Sequence, residues 1–238
     1  MNSMVLKDIE LYYSDVIDLQ EKIITISGSE VKHISMVMRH KEGDKLFITN
    51  GRGTLFETEI IEIKKELAVT RIISKKVFNN RSKDLIFCLP ILRNPERMEF
   101  AIEKSVELGI TNFFVYRGKR SVNKNIKLER LNKIAISAMK QSLRTFLPSV
   151  HFFADLNEIL NQTGSNIVLM QDSNKTIREL TLKENEKAIF IFGPEGGFEN
   201  SELRLFSETE FYKITDKRLR SETAVVSVAS FLVNKGIV

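Results

Sequence analysis

Ala188-Ile-Phe-Ile-Phe192-Gly-Pro-Glu-Gly-Gly-Phe198-Glu199 is the stretch whose reading decides the fold. Residues 188–192 are uninterruptedly apolar, the pattern of a strand covered on both faces. Glycines at 193, 196 and 197 tolerate positive φ and let backbone N–H groups approach a ligand closely. Asn200 or Ser201 is expected to cap the helix that follows, with Glu202 in its first turn. A loop at the carboxyl end of a sheet strand is where open α/β folds bind ligands. The loop lacks the Lys-Ser/Thr of a P-loop and the GxGxxG order of a dinucleotide turn. A tight strand-to-helix turn with no ligand is the plain alternative, so the rest of the chain has to decide.

Working outward, the second half alternates strands and helices. Leu85–Leu92 reads as a strand, and Asn94 caps a helix with Pro95 at its first position, where a missing N–H costs nothing. Met98, Ile102, Ser105 and Leu108 form the inward face of that helix, and Gly109 ends it. Phe113–Tyr116 is the next strand. Leu128, Leu131, Ile134, Ala135, Ala138 and Ser142 line a helix that stops before Pro148. Ile167–Met170 and Phe211–Ile214 are further strands. The last helix, from Glu222 to about Asn234, is apolar on most sides and is expected to be buried by protein or by a second subunit. This half is α/β with a largely parallel sheet.

Residues 1–73 read differently, as a small β domain. Lys22–Ile26 and Lys45–Thr49 are strand-like, and Asn50-Gly51 followed by Gly53 signals a hairpin. Between them Ser29–Arg39 has helical spacing, with Val31, Ile34, Val37 and Met38 on one face and Ser27 or Ser29 as cap. A helix inserted among short strands suggests a small barrel. Residues 74–84 are polar and basic, and read as a linker.

The 238 residues, 42% of them hydrophobic and 28% charged, describe an ordinary globular chain with enough apolar mass for a core. The single cysteine, Cys88, excludes an internal disulfide and lies in an apolar run that suits packing. Three histidines make a metal site improbable, and His33 reads as a packing or capping residue. The start of the chain has no apolar signal segment, and no run is long enough to span a membrane, so the protein is expected to be cytoplasmic. The net charge is +5. Arg117, Lys119, Arg120, Lys124, Lys127, Arg130 and Lys133 face only Glu129 in their segment. Arg71, Lys75, Lys76, Arg81 and Lys83 form a second basic group. Such clustering suits a polyanion, because each phosphate neutralised releases counterions.

Several motifs now coincide with one family. The chain resembles the RsmE family, SPOUT-superfamily methyltransferases acting on N3 of a uridine in 16S ribosomal RNA. The matching residues are His33, Val37-Met-Arg39, Gly43-Asp44, Asn50-Gly51, Arg97-Met-Glu99, Glu103-Lys104, Glu107-Leu-Gly109, Arg120-Ser-Val122, Gln141-Ser142, Arg144 and Pro148. Gly193-Pro-Glu-Gly-Gly-Phe198 with Glu202, and Leu219-Arg-Ser-Glu-Thr-Ala224, complete the set. The resemblance implies a PUA-like domain over 1–73, a linker over 74–84, and a SPOUT domain over 85–238 with a C-terminal trefoil knot. It also implies a homodimer, a 16S rRNA or small-subunit partner, and S-adenosylmethionine as cofactor. The cofactor residues it points to are Met170, Gln171, Phe192, Gly193, Pro194, Gly196, Gly197, Ile214, Thr215, Lys217, Leu219 and Arg220.

Methylating uracil N3 is an in-line displacement in which the imide proton must leave. A base helps, and so does a cation that stabilises the developing anion. Arg220 is the leading candidate to contact the nucleotide, with a structural salt bridge as the plain alternative. Glu195 and Glu222 are candidate bases. Glu222 equally suits the positive end of the last helix, and Glu195 could simply fasten its loop. Arg39, Arg93, Arg97, Arg120 and Arg144 are candidates for RNA phosphates. Glu103 and Glu107 read as surface partners of Lys104 and Lys140.

Three positions depart from the family pattern: Thr215 where glycine is usual, Arg218 for an aliphatic residue, and a basic residue shifted to Arg93. A Cβ at 215 is expected to force the loop or narrow the adenine pocket. That prompts two other readings, a catalytically silent rRNA-binding protein on the same fold, and a SPOUT enzyme with another RNA target.

Overall fold

The computed structural model describes residues 9–121, 125–182, 186–206 and 209–238. Val122 and Lys124, named above, lie outside the described residues. The chain divides into two compact units, one of residues up to Asn80 with Met139–Leu147, the other of Arg81–Ala138 and Pro148–Val238.

The first unit is built on a six-stranded sheet of β1 (Leu11–Tyr13), β2 (Val16–Asp18), β3 (Ile23–Ser27), β4 (Lys45–Thr49), β5 (Thr54–Ile63) and β6 (Leu67–Val77), in the order β1-β4-β5-β6-β3-β2. Its two edge strands are joined by only Ser14 and Asp15, so the sheet must curl round on itself. Ser14 makes the closure: its N–H donates to Thr49 at 3.1 Å and its hydroxyl to the Thr25 carbonyl at 2.6 Å. Ile24, Ile26, Val31, Ile34, Leu46, Ile48 and Phe56 fill the interior.

Two expectations change here. The helix after β3 is one α turn, α1 (Ser29–Lys32), continuing as a π-helical turn over His33–Val37. The wider turn, seen in the Met38 N–H to His33 carbonyl bond at 2.9 Å, keeps Val31 and Ile34 buried and swings Val37 and Met38 out to solvent. Gly28, at φ +71, occupies the N-cap with no side-chain bond, so neither Ser27 nor Ser29 caps it. The expected linker is also shorter: residues 74–77 continue β6 and pair with 54–57. Residues 139–147 complete this unit. The Thr145 carbonyl accepts from the Thr49 hydroxyl at 3.0 Å and from Gly53 N–H at 2.9 Å. Lys140 pairs with Glu30 rather than with Glu103 or Glu107, both of which are held by Lys104. His33 is the C-cap of α1, as expected of a capping residue; its half-exposed ring lies 6.2 Å from that of Tyr12 and 3.7 Å from Glu10.

The second unit is a wholly parallel sheet of β7 (Leu85–Pro90), β8 (Asn112–Tyr116), β9 (Ser149–Phe153), β10 (Ser165–Leu169), β11 (Ala188–Phe192) and β12 (Glu210–Tyr212), ordered β12-β10-β11-β7-β8-β9. β9 was not expected, because His151 interrupts an otherwise short pattern. Helices α2 (Pro95–Glu107), α3 (Leu128–Gln141), α4 (Leu156–Leu160), α5 (Asn200–Leu203) and α6 (Ser221–Asn234) accompany it. The Asn94 side chain accepts from Glu96 N–H at 2.8 Å, the expected cap.

β11 is buried along its whole length. Ile189 and Ile191 join Ile86, Cys88, Tyr116, Val168 and Ile159 of α4 on one face. By alternation Phe190 and Phe192 point to the other, where both rings pack on Phe87 at 5.5 and 5.4 Å. Each such side chain contributes about 1.5–3 kcal/mol by its burial. Burial also pushes the Cys88 thiol pKa well up, so it packs as an inert apolar group.

Candidate active site

Parallel pairing sets the carboxyl ends of β7, β10, β11 and β12 along one edge, and the segments leaving them enclose a cavity of about 1420 Å³. Its wall brings together all the residues expected to hold a cofactor. Met170 and Gln171 follow β10; Phe192, Gly193, Pro194, Gly196 and Gly197 end β11 and form its loop; Ile214, Thr215, Lys217, Leu219 and Arg220 follow β12. Arg93, Arg97 and Glu195 line it as well. Asp172 and Ser221 do too; neither was anticipated, although each directly follows a residue that was.

The Gly-rich loop is held by its carbonyls. The Tyr116 hydroxyl donates to Phe192 at 2.8 Å, the Ser221 hydroxyl to Gly193 at 3.0 Å, Gly197 N–H to Pro194 at 2.8 Å, and Arg120 Nη1 to Gly196 at 3.0 Å. Burial above all, helped by Cys88 and Glu202, raises the Tyr116 pKa well above the usual phenol value, so the hydroxyl stays a donor. Among the described residues the N–H groups of Glu195 and Gly196 have no acceptor, and they are available to a ligand. Gly197 has φ +72, a conformation glycine adopts at no steric cost. A Cβ at Gly196 would sit 3.3 Å from that of Arg120, a tight contact that a small shift of the Arg120 side chain would have to relieve.

The helix cap is Glu199, not Asn200 or Ser201. Glu199 N–H donates to Glu202 Oε2 at 2.8 Å, closing a capping box at the start of α5. Arg120, expected at RNA phosphate, is occupied in this structure with the Gly196 carbonyl. Arg39 and Arg144 belong to the first unit, where burial lowers the Arg144 pKa.

The two candidate bases converge on one cation. Arg97 Nη1 lies 3.3 Å from Glu195 Oε1, and Arg97 Nε lies 3.5 Å from Glu222 Oε1. Glu195 Oε2 accepts the Arg93 N–H at 3.1 Å, so both Glu195 oxygens are engaged. Glu222 is buried and does not line the cavity. Arg220 differs. Its backbone caps α6, while its exposed side chain pairs with no carboxylate among the described residues.

Thr215 does not strain the loop. The only non-glycine residues of positive φ among those described are Lys22, Arg39 and Leu143, and the Thr215 hydroxyl accepts from Lys217 N–H at 3.4 Å. The residues present fit S-adenosylmethionine: an apolar wall of Leu169, Phe192, Ile214 and Leu219, and loop N–H groups that have no acceptor among the described residues. Among the described residues no cluster of side chains could hold a metal ion.

Comparison with known proteins agrees. An RNA methyltransferase domain model matches residues 79–233, and an RNA methyltransferase PUA domain model matches residues 26–73. Ribosomal RNA small subunit methyltransferase E of Buchnera aphidicola subsp. Schizaphis graminum is 30% identical over 223 residues, covering 89% of this chain and 90% of that protein. The Bacillus subtilis protein of the same name is 28% identical over 221 residues, covering 84% and 85%. A Legionella pneumophila protein solved in complex with the bound cofactor SAM superimposes with a TM-score of 0.85 at 25% identity, over 95% of this chain and 98% of that one. The two matching models, an RNA methyltransferase domain preceded by its PUA domain, define the chain as an RNA methyltransferase. The chain belongs to the ribosomal RNA small subunit methyltransferase E family.

Proposed function

We propose that the protein transfers the methyl group of S-adenosylmethionine to N3 of a uridine in 16S ribosomal RNA, in the cytoplasm and as a homodimer. The C-terminal trefoil knot of its superfamily belongs to the same reading. The observation that carries it is the convergence of the segments after β7, β10, β11 and β12 on one cavity, with the Gly-rich loop on one side and on another Arg220, which pairs with no carboxylate among the described residues. The bound cofactor supplies an electrophilic methyl group on a sulfonium. The chain's own residues hold and orient. Loop N–H groups and the apolar wall take the nucleoside, and holding acceptor and methyl in line removes much of the barrier.

The imide proton passes to solvent water, and its loss leaves negative charge on the uracil ring that attacks the methyl group. Arg220, at the start of α6 and paired with no carboxylate among the described residues, is the group to stabilise that charge. Glu195 serves its loop. Glu222 serves Arg97. The cations Arg93, Lys217 and Arg218 line the same cavity and suit the phosphates flanking the target. The strain argument for the silent-protein reading falls away, because Thr215 is not among the residues of positive φ; the width of the pocket is left to the Thr215→Gly comparison.

The homodimer reading is supported by α6. Val225, Val228, Ala229 and Leu232 are buried within the unit, while Ala224 and Phe231, two turns apart on one flank of that stripe, keep partial exposure that a second copy would cover. Nucleoside mass spectrometry of 16S rRNA tests the function in cells. A strain lacking its own small-subunit uridine-N3 methyltransferase should regain N3-methyluridine when given this gene. Absence of the nucleoside despite expression would overturn the assignment.

A further inference from the structure

Arg97 sits where three elements of the second unit meet. It projects from the first turn of α2, and its guanidinium meets Glu195 of the Gly-rich loop with one nitrogen and Glu222 of α6 with another. The three residues are distant in sequence, so only the fold brings them together. The Glu222 carboxylate is nine-tenths buried, and its Oε2 has no partner among the described residues. Arg97 is therefore the cation that compensates a buried charge, helped by the positive end of α6. A second tie runs beside it, from the Ser221 hydroxyl to the Gly193 carbonyl. Glu195 is also held by the Arg93 N–H, just ahead of α2.

We propose that Arg97 is a positioning residue for the cavity rather than a contact to RNA phosphate, its guanidinium setting the spacing between the Gly-rich loop and the start of α6. It rests on the cofactor reading given above. Two carboxylates hold it from different sides, a geometry that a planar fork satisfies and a flexible ammonium does not. The guanidinium's Nη1 and Nε are thus taken up by carboxylates of the fold itself. Its removal leaves Glu222 buried and uncompensated, and frees Glu195 on one side, so the loop amides and Arg220 lose their fixed separation.

The test is calorimetry with S-adenosylmethionine and RNA titrations at several salt concentrations, on wild type, Arg97→Gln and Glu222→Gln. The expected result for Arg97→Gln is cofactor affinity about tenfold weaker, with the salt slope of RNA binding unchanged. A phosphate contact would instead lower that slope by about one and leave cofactor affinity alone, which overturns the proposal. Glu222→Gln should weaken the cofactor in the same direction. It decides the matter if Arg97→Gln fails to fold, for unchanged cofactor affinity in Glu222→Gln also overturns the proposal. Should wild type itself bind no S-adenosylmethionine, the cofactor reading fails, and the positioning role with it.

Discussion

Glu202 accepts the backbone N–H of Lys119 on Oε1 at 3.0 Å while its Oε2 accepts that of Glu199 at 2.8 Å. One buried carboxylate thus fastens the segment after β8 to the turn that follows the Gly-rich loop. Both bonds are charge-assisted, and the Glu202 side that accepts them is buried. Glu202→Gln must turn an amide NH₂ toward one of the two donors. The variant should lose roughly 1–3 kcal/mol of stability. Urea unfolding checks this as a lower midpoint at unchanged slope.

Arg220→Ala removes an exposed side chain that pairs with no carboxylate among the described residues. Stability should change by less than about 0.5 kcal/mol, as at other surface positions. Methyl transfer should fall about 10²–10³-fold in kcat, the usual cost of losing a charge-stabilising donor. Arg220→Lys should recover part of it, because charge returns without the fork. Single-turnover kinetics beside a thermal melt separate the two effects.

Thr215→Gly reverses the departure from the family pattern. The backbone at 215 lies outside the left-handed region, so glycine relieves no strain there. Affinity for S-adenosylmethionine should stay within about threefold of wild type, since only a weak hydroxyl contact to Lys217 is lost. A gain of tenfold or more by calorimetry would mean that the methyl-bearing side chain obstructs the cavity after all.

Gly53→Ala probes the first unit. Gly53 has φ +90, and a Cβ there would lie 2.4 Å from the Phe146 ring and 2.8 Å from the Phe78 carbonyl. Overpacking and backbone strain should together cost roughly 3 kcal/mol or more. Hydrogen exchange should then accelerate in residues 139–147 as well as in β5, because the two are fastened through Gly53 N–H and the Thr145 carbonyl.

The parts of this fold that can be read in advance are those whose causes are local. Phe190 and its neighbours announce a strand buried on both faces, and Asn94-Pro95 announces a helix start, because burial pattern and cap chemistry lie within a few residues. The π turn at His33–Val37 escapes such reading; its extra residue shifts Val37 and Met38 off the helical face without changing the sequence pattern. Residues 139–147 look like the tail of a helix, and nothing near them shows that Thr49 and Gly53 will both donate to the Thr145 carbonyl. The loops of the cavity follow from motif order. Their fastening by Arg97, Ser221 and Glu202 does not, since each acts across distant parts of the chain, and only the paired geometry shows two candidate bases to be partners of one arginine.

The most direct measurement is transfer of labelled methyl from S-adenosylmethionine, by the purified protein, to small ribosomal subunits that lack their N3-methyluridine, followed by nucleoside analysis. Label recovered in N3-methyluridine, and lost with Arg220→Ala, is the predicted result. Label in a different nucleoside, or none while the protein binds the subunit, would contradict it.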